Sequence, residues 1–231
     1  MTQLTLAERL NEVHARIDQA AQEANRQSDE IQLVIVSKNH PADLVLELLA
    51  LGETNFGENK DQEASAKAEQ VKLSNQSGLE PTWHFVGQLQ SNKVKSMLAY
   101  SKVLHSLDRP SLLNELVKQL AKAPESQLDV FIELNLTGDP GRGGILPEAL
   151  LSFAETVLEA KQLNLLGVMG VAGLEGTAAS YFETIAKSSE ELRTIAPQAK
   201  FISAGMSGDY EEAIRHGATH LRIGTAITGN R

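Results

Sequence analysis

Lys38 ends the apolar run Ile31-Gln-Leu-Val-Ile-Val-Ser-Lys38, and its position points to chemistry more directly than that of any other residue. A lysine at the C-terminal end of a buried strand lies beside the mouth of a sheet or barrel, where desolvation favours the neutral amine. A neutral amine can attack a carbonyl and form a Schiff base. Taken alone, Lys38 fits equally well as a surface lysine whose stem follows the strand end.

The other lysines are placed differently. Lys102, Lys161 and Lys200 come just before apolar runs, so in a parallel sheet they fall at the opposite end. A second set lies in polar helical patterns and is predicted to be solvated: Lys60, Lys67, Lys72, Lys93, Lys95, Lys118, Lys122 and Lys187. Lys38 is therefore the candidate nucleophile.

The loops after the last two apolar runs carry groups that bind phosphate. They read Ser203-Ala-Gly-Met-Ser-Gly-Asp209 and Arg222-Ile-Gly-Thr225. Their hydroxyls can donate hydrogen bonds, their glycines let backbone N–H groups approach an oxyanion, and both loops lead into predicted helix starts. Either loop alone is more typical of ordinary caps and turns. Two such loops on neighbouring strands, beside Lys38 in a closed barrel, predict an anion site.

An imine-forming lysine opposite a phosphate site describes a site for pyridoxal 5′-phosphate (PLP). Arg222 shares a strand face with His220 and Gly224, because side chains alternate along a strand. If Arg222 meets the pyridine nitrogen of PLP, that nitrogen stays unprotonated and the ring is a poor electron sink. The alternative for Arg222 is an ion pair at the barrel mouth with Glu58 or Asp209.

Short apolar runs alternate with amphipathic segments along the chain and must position these residues. The predicted strands are Ile31–Val36, Thr54–Phe56, Trp83–Val86, Val103–Leu107, Leu128–Leu136, Leu163–Val171, Lys200–Ala204 and Thr219–Ile223. The predicted helices span 41–51, 59–73, 90–99, 110–122, 147–160, 177–196 and 208–216. This alternation indicates parallel strands with right-handed crossovers. Eight such units predict one α/β domain over residues 1–231, a (β/α)8 TIM barrel with its site at the C-terminal ends of the strands.

The N-terminus and the composition argue against a secreted, a membrane-spanning or a nucleic-acid-binding protein. Thr5-Leu-Ala-Glu8 is a capping box, and Leu6, Leu10, Val13 and Ile17 follow at helical spacing, which predicts an extra N-terminal helix rather than a signal peptide. The 231 residues carry a net charge of −9 and no cysteine. We therefore expect a cytoplasmic protein with no nucleic-acid partner and no membrane span of about 20 apolar residues. The polar surface patterns of the helices favour a monomer.

Other polar residues support weaker predictions. His84, in Trp83-His-Phe-Val-Gly87, either lines the mouth from the third strand or is a structural histidine. Arg142 lies in the Gly-rich loop 138–144, which either closes over a ligand or is an ordinary solvent loop. Glu133 is a carboxylate in a buried strand and needs a partner that the sequence does not identify. The six histidines show no metal-ligand spacing, so no metal site is predicted.

The motifs of the chain, taken together, resemble those of the pyridoxal phosphate homeostasis proteins, whose fold is similar to the barrel domain of bacterial alanine racemase. The resemblance runs from about residue 5 to the C-terminus. It rests on these motifs in this order: Val36-Ser-Lys38, Phe56-Gly-Glu-Asn59, Trp83-His-Phe-Val-Gly-Gln-Leu-Gln-Ser-Asn-Lys93, Gly167-Val-Met169, Gly205-Met-Ser207 and Arg222-Ile-Gly-Thr-Ala226.

This resemblance implies that Lys38 carries PLP as an internal aldimine and that Arg222 faces the pyridine nitrogen. It implies that Ser207, Gly224 and Thr225 hold the phosphate. It also places five residues around the cofactor: Asn59, His84, Met169, Ser203 and Met206. Such proteins look like PLP carriers, or regulators of PLP and amino-acid balance, without established catalytic turnover. PLP-dependent apoenzymes or free amino acids would be their partners.

Two positions depart from the family pattern. Arg142 stands in the loop after strand five where the family usually has a lysine, which weakens any lysine-specific transfer of cofactor through that loop. Gly208 stands where an acidic residue often follows the Gly-Met-Ser motif. The second departure affects the phosphate site only mildly.

Two enzymatic alternatives are less favoured. A two-base racemase needs an acid opposite the lysine, usually from a second domain, and the chain ends directly after the eighth unit. Of the three tyrosines, Tyr210, after the Gly-Met-Ser motif, is the only one that could approach the mouth. Without a second domain to supply the acid, we expect any racemase activity to be trace. A Schiff-base aldolase usually takes its lysine from a later strand, so Lys38 on the first strand argues against it.

Overall fold

Eight parallel strands close into one barrel in the computed structural model, which describes residues 4–139 and 141–229. The strands are β1 (Gln32–Val36), β2 (Asn55–Glu58), β3 (Thr82–Phe85), β4 (Ser101–Leu107), β5 (Leu128–Glu133), β6 (Leu163–Met169), β7 (Phe201–Ser203) and β8 (His220–Ile223). Each strand pairs with the next, and β8 pairs with β1. The predicted barrel is confirmed. The ends of the predicted 1–231 domain and Pro140 of the predicted loop lie outside the described residues.

Within the described residues, one α-helix precedes the first strand, and one α-helix follows each of the eight strands. They are α1 (Leu6–Glu23), α2 (Ala42–Ala50), α3 (Asp61–Ser74), α4 (Val94–Met97), α5 (Pro110–Leu120), α6 (Leu150–Leu158), α7 (Ala178–Arg193), α8 (Tyr210–Arg215) and α9 (Thr225–Thr228). Short 3-10 turns at 28–30, 91–93 and 147–149 connect them. Pro110 occupies the first turn of α5, where a missing N–H costs little.

Alternation along β1 separates the inside of the barrel from the outside. Leu33 and Ile35 belong to the apolar core between strands and helices. Val34 and Val36 point the other way, and a Cβ on Gly57 of β2 would touch both of them. By the same period of two, Lys38 continues the inward-facing series of β1.

Side chains fill the barrel interior, as in other barrels of this class. Val103, Phe131 and Met169 form one buried cluster there. Histidine rings extend it: the His105 ring lies 4.7 Å and the His220 ring 5.0 Å from the Phe131 ring, centroid to centroid. The interior is therefore packed, with polar groups embedded among apolar ones.

The N-terminal helix α1 packs beside the last two units. Thr5 and Glu8 form the predicted capping box, and the apolar face of α1 is buried. The guanidinium of Arg16 lies 5.8 Å from the ring centre of Tyr210 on α8. Tyr210 is buried under α1. Tyr210, the tyrosine that could have approached the barrel mouth, instead packs in the contact between α1 and α8.

Candidate functional site

Lys38 lies in a turn directly after β1, at the C-terminal end of the barrel. Its side chain is exposed, so burial within the protein does not supply the desolvation that we expected for its amine. The next residue, Asn39, has a φ of 63°, a left-handed conformation that asparagine tolerates better than most residues. The chain thus reverses sharply at Lys38, and the amine is free to meet a ligand.

A buried ionic network lies directly behind this turn. Lys67 of α3 donates to Glu58 Oε1 at 2.5 Å, to Glu63 Oε1 at 3.1 Å and to the Ser37 carbonyl oxygen at 2.8 Å. Its side chain is only 4% exposed. The prediction that Lys67 is solvated is therefore wrong, because the polar pattern of α3 hides a lysine that faces the barrel wall. Glu58, considered above as a partner of Arg222, pairs with Lys67 instead.

Backbone N–H groups and a hydroxyl meet where the loops after β7 and β8 come together. The N–H groups of Gly224 and Ala226 both donate to Ser207 Oγ at 3.3 Å. Thr225 begins α9 between them, and Gly224 packs so closely on β1 that an added Cβ would lie 3.3 Å from the Val36 carbonyl oxygen. The predicted phosphate loops are thus adjacent, and they border the strand that leads to Lys38.

A chain of hydrogen bonds crosses the barrel interior and ends on Arg222. Arg222 Nη1 donates to Ser203 Oγ at 2.6 Å, and Ser203 Oγ lies 2.7 Å from His105 Nδ1. His105 Nε2 lies 2.9 Å from His84 Nδ1, and His84 Nε2 lies 3.1 Å from Asn55 Oδ1. Ser203 Oγ accepts from the guanidinium, so its own O–H can donate to His105 Nδ1. Neutral His105 then donates from Nε2 to His84 Nδ1, and neutral His84 donates from Nε2 to Asn55 Oδ1, which can only accept.

Burial keeps His84 and His105, the two histidines in this series of hydrogen bonds, neutral. It lowers the pKa of His84 to about 3, and the charge of His220 acts in the same direction. It also lowers the pKa of His105 well below its ordinary value. Burial lowers the pKa of Arg222 to about 10, so the guanidinium stays charged at neutral pH. With Nη2 bound to the Gly170 carbonyl oxygen at 3.0 Å, Arg222 is a fixed cation under the mouth.

Glu133 ends β5, opposite β1 in the barrel. Burial, reinforced by the charge of Asp108 and opposed by that of Arg222, raises its pKa to about 7. Glu133 Oε2 has no hydrogen-bond partner among the described residues. The carboxylate lines a cavity of about 240 Å³ together with Asn135 and Arg142. Among the described residues no group is bonded to Glu133 Oε2, and the attraction of Arg222, Arg142 and Arg109 only partly offsets the cost of burying the carboxylate.

The remaining predicted residues occupy different depths. Met169 is buried at the end of β6, whereas Met206 is 40% exposed in the loop after β7. Asn59 follows β2, and its Oδ1 is buried without a partner among the described residues. His84, near the C-terminal end of β3, is buried inside the barrel, one histidine away from Ser203. All of these residues lie in the barrel strands or in the loops that follow them.

Two participants were missed by sequence reasoning. His105 on β4 links His84 to Ser203, and Lys67 on α3 supports the Lys38 turn. The signal for His105 was its place in Val103-Leu-His-Ser-Leu107, a polar residue inside an apolar run. For Lys67, the weak hydrophobic periodicity of α3 gave no signal.

The part of the chain that the structure describes provides two further findings. None of its helices is long and apolar enough to cross a membrane. None of its groups of three or more His, Cys, Asp and Glu side chains is arranged to hold a metal ion.

Comparison with known folds defines the class. Residues 9–231 match the family model described as alanine racemase, N-terminal domain. The alanine racemase of Corynebacterium glutamicum has the same fold, with a TM-score of 0.70 over 96% of this chain and 62% of its own, at 13% sequence identity. The protein is thus a barrel of the alanine racemase N-terminal type.

Closer relatives narrow this class. Pyridoxal phosphate homeostasis proteins of Pseudomonas aeruginosa (98% of this chain, 96% of the relative) and Aquifex aeolicus (99% of each) are both 37% identical to it. PipY of Synechococcus elongatus, solved with PLP bound, is 31% identical, with a TM-score of 0.81 over 97% of this chain and 100% of PipY. The chain belongs to the pyridoxal phosphate homeostasis protein family.

Proposed function

We propose that this protein binds PLP through a Schiff base on Lys38 and acts in intracellular PLP and amino-acid homeostasis, without catalytic turnover. The observation that carries the proposal is the convergence, around the seam between β8 and β1, of an exposed lysine, adjacent phosphate-type loops and a fixed arginine. The PLP-bound structure of the relative PipY supports the choice of ligand.

The proposed contacts follow the strand ends. Lys38 supplies the amine, and Ser207, Gly224 and Thr225 hold the phosphate through a hydroxyl and backbone N–H groups. Arg222 faces the pyridine nitrogen. The remaining proposed neighbours of the cofactor are Asn59, His84, Met169, Ser203 and Met206.

Attachment needs no co-reactant beyond the aldehyde. The Lys38 amine adds to the carbonyl carbon of PLP, a C=N bond forms, and water leaves. Hydrolysis reverses this step, and exchange with a free amino acid would release Lys38 in the same way. Reversible attachment suits a carrier whose partners are free amino acids or PLP-dependent apoenzymes, and we place it in the cytoplasm as a monomer.

Arg222 is one reason to expect little turnover. When bound, PLP supplies an electron sink whose strength depends on a protonated pyridine nitrogen. Arg222 remains a cation and a hydrogen-bond donor at neutral pH, because its lowered pKa of about 10 is still far above 7. A donor facing the nitrogen leaves no lone pair for a proton, so carbanion chemistry at the ring is weak.

The test is a visible absorption spectrum of the purified protein with PLP, before and after borohydride reduction, followed by peptide mass mapping. We expect a yellow protein and a pyridoxyl label on Lys38. Lys38→Ala should abolish the label, while Lys72→Ala, at an exposed lysine of α3, should retain it.

Two results would contradict the proposal. A protein that takes up no PLP would remove its basis. Racemisation or aldol cleavage of amino acids that depends on Lys38, at rates typical of PLP enzymes, would replace the carrier with an enzyme.

A further inference from the structure

The turn that carries Lys38 is held on both sides by charged side chains of α3 and β2. Before Lys38, the Ser37 carbonyl oxygen accepts from Lys67 Nζ at 2.8 Å, and Ser37 Oγ donates to Glu58 Oε1 at 2.7 Å. After Lys38, the Asn39 N–H donates to Glu63 Oε1. The turn residues on either side of the amine are therefore fixed, and the amine itself is not.

Lys67 connects the two sides. An ammonium group has three N–H donors, and in Lys67 each has an acceptor: Ser37 O, Glu58 Oε1 and Glu63 Oε1. Removal of Lys67 would release Ser37 directly and would leave Glu58 and Glu63 as neighbouring anions. We call this set of three residues, Glu58, Glu63 and Lys67, the brace.

Stability alone explains the brace poorly. The Glu58 side chain is fully buried and that of Lys67 is 4% exposed, so both lose hydration on folding. Buried ion pairs commonly add little net stability compared with apolar side chains of the same size. A cluster that costs desolvation, and that bonds to both neighbours of one exposed lysine, is better explained by the geometry it imposes.

We propose that Glu58, Glu63 and Lys67 are positioning residues that fix the Lys38 turn and so aim its amine at a carbonyl carbon held by the loops after β7 and β8. The inference rests on the proposed attachment of PLP to Lys38. It assigns no contact with the cofactor to the brace, whose effect passes through Ser37 and Asn39. A misplaced reacting group can slow a reaction by one or two orders of magnitude.

Glu63 gives the cleaner test, because its side chain is 28% exposed and its loss disturbs the core little. Glu63→Ala removes the acceptor of the Asn39 N–H, whereas Glu63→Gln keeps an oxygen at that position. Glu69→Ala makes the same charge change at an exposed position of α3 and is the matched control. Lys67→Met removes every donor of the brace at once.

The measurement is the rate at which borohydride-trapped label accumulates on Lys38, with PLP and separately with pyridoxal, which lacks the phosphate. We expect labelling to be about tenfold slower in Glu63→Ala. Both aldehydes should be affected, because the substitution changes the orientation of the Lys38 amine and not the binding of the phosphate. Glu63→Gln should recover most of the rate, and Glu69→Ala should match the wild type. Melting temperatures, recorded in parallel, must show that the variants are folded during labelling.

The outcomes separate this inference from the proposed function. If wild-type protein takes no label on Lys38, the proposed function is contradicted, and so is the positioning role of the brace, which rests on it. If wild-type protein is labelled and Glu63→Ala and Lys67→Met are labelled at the wild-type rate, the function stands and the brace is refuted. If Lys67→Met does not fold, the comparison of Glu63→Ala with Glu63→Gln decides.

Discussion

Glu133 is an acid whose ionisation should work against folding. Its folded pKa is about 7 and its ordinary value is 4.5, with burial as the main cause. The unfolded chain therefore releases this proton at lower pH than the folded chain does. The stability that Glu133 contributes is complete below pH 4.5 and is lost as the pH rises towards and through 7.

We predict that Glu133→Gln becomes increasingly stable relative to the wild type between pH 4.5 and 7. The gain in unfolding free energy at pH 8 should be on the order of 3 kcal/mol, because the pKa of Glu133 moves from 4.5 to about 7 on folding and each pKa unit corresponds to about 1.4 kcal/mol. Chemical denaturation at pH 4.5, 5.5, 7 and 8 measures the difference. Glu69→Gln, at an exposed position of α3, should show no comparable trend. A difference for Glu133→Gln that does not change with pH would contradict the prediction.

At the level of single residues, the sequence predicted which positions lie at strand ends but not which polar groups meet. Lys38 and Arg222 could be placed because a strand has a period of two and parallel strands share one C-terminal edge. His105 could not, because its partners His84 and Ser203 lie on other strands. Lys67 was predicted wrongly, since only the packing of α3 on the barrel shows which side of that helix is buried.

Among the strands, β6 contains a glycine that no residue with a side chain can replace without a steric clash. Gly167, in the middle of β6, has a φ of 154°, and a Cβ there would overlap the carbonyl oxygen of Phe201 on β7. Because the obstacle is backbone, no side chain can move aside. Gly167 therefore permits the close approach of β6 and β7, the strands that end at Met169 and Ser203.

We predict that Gly167→Ala destabilises the barrel by roughly 3 kcal/mol or more, through strain at a special backbone conformation and a steric clash. Gly208→Ala is the matched control: an added Cβ there meets nothing within 4 Å, and its effect should stay within about 0.5 kcal/mol. Thermal and urea unfolding of both variants would measure this. Equal stabilities would show that the β6–β7 contact can open at little cost.

The order of the elements was predictable, but their ends were less so. All eight predicted strands are present, because apolar runs separated by amphipathic segments specify this alternation. The run Leu128–Leu136 was predicted as one strand, yet β5 ends at Glu133. Asn135 Oδ1 accepts from the N–H groups of Thr137 and Gly138, so a side chain turns the backbone out of the sheet. Such local side-chain competition is not visible in hydrophobic patterns.

For the whole molecule, the seam between β8 and β1 joins the two ends of the chain. Arg9 of α1 donates to the Ile227 carbonyl oxygen of α9 at 2.6 Å, and Arg26 donates to the Ile214 and Ala218 carbonyl oxygens at 3.0 and 2.7 Å. On the proposed function, PLP would span the same seam at its open end, from Lys38 to the loops after β7 and β8. A ligand in that place links the first barrel unit to the last two.

We therefore predict that PLP raises the melting temperature by an amount that grows with its concentration. A ligand that binds only the folded state stabilises it by about 2.7 kcal/mol at one hundred times its dissociation constant. Lys38→Ala should keep part of the shift, because the phosphate loops remain, and Ser207→Ala should reduce it while the label on Lys38 persists. Inorganic phosphate should compete with PLP in the Lys38→Ala variant. Binding to the folded state must raise the melting temperature. A melting temperature that does not respond to PLP would therefore mean that PLP does not bind at the seam between β8 and β1.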